Sequence, residues 1–76
     1  MNYKELEKAN NLLNEIREIN IKLRQLEHPF NYVKISINDY TMCFYDKHKE
    51  KFVNILKEIR EEMIKELNEL GVTEND

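Results

Sequence analysis

Apolar and polar residues follow three different rhythms along this chain. From Asn2 to about Glu27, Leu6, Ala9, Leu12, Leu13, Ile16, Ile19, Leu23 and Leu26 recur at three- and four-residue steps. On a helical wheel they cover one arc of roughly 160°. The spacing predicts a helix over residues 2–27, with Asn2 as N-cap and Glu5 where a capping box places a carboxylate. His28-Pro29 ends it, because the residue before proline avoids the α region. Asn20 interrupts the arc at the seam position that Leu6 and Leu13 hold in a heptad. Either it sits at a solvated edge, or it is a buried polar residue that fixes register between packed helices. Ile21 points away from the arc, either as an ordinary single exposed residue or as the mark of a second contact surface.

From Tyr32 to Tyr45 the rhythm changes to strict alternation. Val33, Ile35 and Ile37 alternate with Lys34, Ser36 and Asn38, and Tyr40, Met42 and Phe44 alternate with Thr41, Cys43 and Tyr45. A two-residue turn at Asn38-Asp39 pairs Ile37 with Tyr40, Ile35 with Met42 and Val33 with Phe44. All six then share one face, so turn length and pattern agree on a β-hairpin over residues 32–45. Asn and Asp tolerate the positive φ that such a turn requires. The opposite face carries Tyr32 across from Tyr45, Lys34 across from Cys43, and Ser36 across from Thr41.

The helical rhythm returns from Lys47 to about Leu70. Phe52, Val53, Ile55, Leu56, Ile59, Met63, Ile64, Leu67 and Leu70 fill an arc of about 180°, wider than one packing partner needs. Asp46 is the expected N-cap and Gly71 the expected C-terminal cap. The polar stretch 73–76 reads as a frayed tail.

These elements give an α+β fold in the order helix, hairpin, helix (α-β-β-α), as one domain over residues 1–76. A two-stranded hairpin is marginal in water without a covering layer. Its apolar face is therefore expected to lie on the helices. Both strand edges stay open to a second chain. With 76 residues, a chain of this size buries a modest fraction of its surface, and small scaffolds add disulfides, metals or oligomerisation. Cys43 is the only cysteine, and His28 and His48 are the only histidines. That leaves a homo-oligomer, built through a shared helix bundle or through hairpins joined into a four-stranded sheet.

Composition narrows the function by subtraction. A net charge of −3 gives no global attraction to nucleic acid or anionic membrane. No apolar run approaches the length of a membrane span, and the first residues, MNYKELEKANN, lack the apolar core of a secretory signal. With one cysteine, the expected compartment is a reducing cytoplasm. The richness in Lys, Asn, Ile and Glu is that of an AT-rich genome. Gly71 is the only glycine, so there is no phosphate-cradling loop, and Ser36, the only serine, lies mid-strand. Cys43 with either histidine is read as a half-buried strand residue rather than a nucleophile. Glu58 and Glu62 are read as exposed helix neighbours. The expectation is a protein without catalytic residues, metal or cofactor.

One cluster offers chemistry. Lys47, His48, Lys49 and Lys51 crowd the first turn of the second helix, where free N–H groups and the positive end of the dipole already lie. Tyr32, Lys34 and Tyr45 stand beside it on the open hairpin face. Lysines and amides for phosphate, with tyrosines for base stacking, would suit a nucleotide. The plainer reading is a solvated basic turn balanced by Asp46 and Glu50, with tyrosines as ordinary cross-strand neighbours.

The succession LEKANNLLNEIREINIKLRQLE, YVKISINDYTMCFYD and FVNILKEIREEMIKELNELGV resembles small phage-encoded accessory proteins. That group includes anti-defence proteins that act as oligomeric sponges for nucleotide second messengers. The resemblance lies in size, residue bias, element order and the closing KELNELGV, and it carries over no site residues. A hairpin between two helices is also similar to prefoldin subunits, but helices of about 36 Å are too short for their tentacles. The resulting expectation is a small homo-oligomeric binding or inhibitory protein that sequesters a nucleotide-type ligand. The alternative is an interaction module that docks a protein partner through surplus apolar surface.

Overall fold

A computed structural model describes residues 2–72, so the tail at 73–76 lies outside the described residues. The order is α1 (Tyr3–Leu26), β1 (Val33–Ile37), β2 (Tyr40–Phe44) and α2 (Asp46–Glu69), the expected α-β-β-α arrangement.

Both outer helix ends are closed by their own residues. Asn2 is extended and accepts the Glu5 amide on Oδ1 at 2.9 Å. The Glu5 carboxylate returns the contact by accepting from Asn2 Nδ2 at 3.0 Å, so the capping pair is reciprocal. At the far end Gly71 takes φ 89°. Its N–H donates to the Asn68 carbonyl at 2.9 Å, and the Val72 N–H donates to the Leu67 carbonyl at 3.1 Å. These two bonds define a Schellman cap. Val72 folds back against the core cluster that contains the fully buried Leu67.

The β1–β2 register matches the alternation: Val33 with Phe44, Lys34 with Cys43, Ile35 with Met42, Ser36 with Thr41, Ile37 with Tyr40. The turn differs in one respect. Asn38 alone takes positive φ, at 54°, and Asp39 does not.

The start of α2 corrects a second expectation. Asp46 is not the cap. Tyr45 holds that position, with no side-chain capping bond. A capping side chain works from an extended backbone, and Asp46 instead sits at φ 49°. The chain passes from strand to helix within two residues, and Asp is among the few residue types that tolerate this left-handed bend.

The core lies between the helices. Ala9, Leu12 and Ile16 of α1 pack with Leu67 of α2, flanked by Leu13, Met63, Ile64 and Leu70. Asn20 is exposed, and its Oδ1 accepts from Arg60 Nη1 on α2 at 2.8 Å, which settles it as a solvated-edge residue bonded within its own chain.

The hairpin departs most from expectation. Only the base of its apolar face is covered, with Val33, Ile35 and Phe44 half-buried. α1 packs on α2 and β1 pairs with β2, while contact between hairpin and helices is sparse. Phe44 meets Phe52 at 4.8 Å between ring centroids, which anchors the base. Towards the tip Ile37, Met42 and Tyr40 are 68%, 62% and 80% exposed. Five residues per strand reach too far to be covered by a helix pair already packed on itself.

Candidate functional site

Lys49 decides what the basic helix start can do. It is buried, and its Nζ donates to the carbonyls of His28 at 3.2 Å and Asn31 at 3.1 Å. Those carbonyls belong to the loop that leaves α1, so Lys49 ties the loop to the first turn of α2. Asn31 adds a second tie, donating from Nδ2 to the Gln25 carbonyl at 2.6 Å. Lys49, read with its neighbours as a lysine for phosphate, has its ammonium bonded to the chain's own backbone instead. A helical wheel carries the signal, since Lys49 lies four and seven residues before Val53 and Leu56, within the apolar stripe.

Lys47, His48 and Lys51 are exposed around that turn. Tyr32 and Tyr45 come together as the register requires, with ring centroids 5.3 Å apart and planes inclined by 39°. Each ring thus covers part of the other. The Tyr45 hydroxyl is held above its ordinary pKa, first by loss of solvent contact and then by Cys43 and Tyr32 beside it. Cys43 is exposed, which corrects the half-buried placement.

A shallow cleft of about 600 Å³ opens on the other side of Tyr32 and Lys34. It is lined by Lys22, Gln25 and Leu26 of α1, residues 31–34, and Leu56 of α2. Of the seven residues singled out in the sequence, only Tyr32 and Lys34 line it. Lys22 was missed because it is twelve residues away in sequence, on another element, and no local motif marks it. The cleft can offer two ammonium groups, two side-chain amides and apolar lining from Leu26, Val33 and Leu56.

Among the described residues no three His, Cys, Asp or Glu side chains gather as a metal would require. None of the described helices is long and apolar enough to cross a membrane. Every buried side-chain nitrogen or oxygen among the described residues has a hydrogen-bond partner. No protein-family model, no curated protein and no solved structure matches the chain.

Proposed function

We propose that this chain is a non-enzymatic binding protein whose working surface is the apolar face of its hairpin. The observation that carries the reading is the exposure of Ile37, Tyr40 and Met42 side by side on one face. Clustered apolar side chains of this kind, bordered by polar ones, mark interaction sites more often than isolated exposed residues do. A photo-reactive residue placed at Met42 or at Thr41, in cells that make the protein, tests it. The position at Met42 should give a discrete protein adduct and that at Thr41, on the polar face, should not. Equal yields from both, or none from Met42, would refute the reading.

A second reading is favoured by the cleft between Lys22 and Lys34. Two cations, Tyr32 and apolar side chains lining one cleft suit an anion that also carries a flat or apolar group. The resemblance to phage anti-defence proteins makes a nucleotide messenger the ligand class to try first. Calorimetry with cyclic dinucleotides and ADP-ribose derivatives should then show binding that weakens in Lys22→Glu/Lys34→Glu. Each lost contact to a charged group is worth about 1.5–3 kcal/mol. Unchanged affinity in that variant would remove the cleft from consideration.

A further inference from the structure

We propose that the hairpin's apolar face is covered by a second copy of this chain, in a two-fold assembly in which each copy's hairpin lies over the other's α2. The inference rests on the reading of the hairpin as the working surface and names its occupant.

The surface continues beyond the hairpin. Phe44 against Phe52 brings the hairpin's apolar face to one flank of α2. Ile55 and Ile59 follow Phe52 by three and seven residues, so they extend the same stripe along the helix. Ile55 is 48% exposed, and Ile59 is half-buried. One chain thus presents an apolar ribbon with an exposed tip and, beyond Phe52, a helix stripe at Ile55 and Ile59 that stays partly exposed. A two-fold axis places each ribbon on the partner's stripe, because in such an interface every contact is made twice with roles exchanged.

The exposed area is of the right size. A folded monomer of this mass exposes about 5,000 Å², whereas this chain exposes 6451 Å². The difference, about 1,500 Å² of polar and apolar surface together, leaves room for the roughly 800 Å² that each partner contributes to a standard interface. The radius of gyration points the same way, at 15.1 Å against about 11 Å for a compact chain of this length. A foreign partner would cover one ribbon and leave the stripe needing separate cover. A second copy covers both with one operation.

Cysteine accessibility tests this, because Cys43 and Met42 are neighbours on opposite faces of β2. The probes are wild type, and Met42→Cys in a Cys43→Ser background, each treated with a maleimide over a range of concentrations. Sedimentation equilibrium is run in parallel. Masses should be multiples of 9.3 kDa. The thiol of Met42→Cys should react about tenfold more slowly once roughly 90% of the chains are assembled, while Cys43 in wild type reacts at one rate throughout. Tyr40→Asp/Met42→Asp, at positions exposed in the single chain, should lower the mass to that of one chain. An oligomer that leaves the Met42→Cys thiol fully reactive, or that survives the double aspartate, overturns the inference. A single-chain mass throughout, with free reaction, also overturns it but leaves the hairpin open to a foreign partner, which the photo-crosslinking yield reports separately.

Discussion

Lys49→Met separates a structural lysine from a ligand lysine. Methionine keeps the length and apolar packing of the stem while removing the ammonium. The lost interactions are the two bonds to the carbonyls of His28 and Asn31. Hydrogen bonds to a charged group contribute about 1.5–3 kcal/mol each. Two effects reduce that sum: the buried ammonium no longer has to be desolvated, and both carbonyls belong to exposed residues, so water can replace the lost donor. The expected net loss is about 2 kcal/mol, a fall in Tm of about 8–16 °C for a domain of this size. Lys47→Met and Lys51→Met, on exposed neighbours, should stay within about 0.5 kcal/mol of wild type. Urea melts followed by far-ultraviolet circular dichroism, at one fixed protein concentration because assembly adds a mass-action contribution, give the comparison. If Lys49→Met melts together with the two controls, Lys49 is not holding the loop.

Other outcomes follow from single residues. Gly71→Ala meets no atom within 4 Å of the added Cβ, so its cost is the left-handed backbone alone, and stability should fall by about 1 kcal/mol in the same melts. Asn38→Val forces a β-branched residue into positive φ and should cost the hairpin about 1–2 kcal/mol. Because the hairpin contacts the helices sparsely, NMR signals of residues 33–44 should broaden or shift while the helical signal holds. A double-mutant cycle of Asn20→Ala with Arg60→Ala should give a coupling of about 0.5–1 kcal/mol, and zero coupling would show that the bond is absent in solution.

The hairpin register was legible because two independent signals, alternation and turn length, allow only one pairing that keeps Val33, Ile35 and Ile37 on the face of Tyr40, Met42 and Phe44. Asn2 with Glu5, and Gly71, were legible because capping chemistry is local. Alternation tells which side chains share a face but not what covers them, and so the expected burial of the hairpin under the helices holds in part at its base, where Val33, Ile35 and Phe44 are half-buried, and fails at its tip. The Asp46 cap failed for a related reason. Residue type favours Asp at a cap, but the short passage from Phe44 into α2 imposes a backbone from which its side chain cannot serve.

The candidate site shows the same division between local pattern and helical spacing. Lys47, His48, Lys49 and Lys51 look like one cluster when read as neighbours in sequence. Read at steps of three and four, Lys49 instead joins Val53, Leu56, Arg60, Met63, Leu67 and Leu70 in one continuous seam along α2. That series contains two polar members, and each has a partner among its own chain's residues: Lys49 has the loop carbonyls, and Arg60 has Asn20, the polar interruption in the corresponding seam of α1. Antiparallel packing runs the two series in opposite directions, so Asn20 and Arg60 meet only in the register observed. A slip by one helical turn, about 5.4 Å, would part them and also draw Lys49 away from His28 and Asn31. The polar ends of Lys49 and Arg60 are thus bonded within the chain, while Ala9, Leu12 and Ile16 against Leu67 form the core between α1 and α2. Ile37, Tyr40 and Met42 at the hairpin tip and Ile55 on α2 lie outside that core and stay exposed, so they remain available for binding.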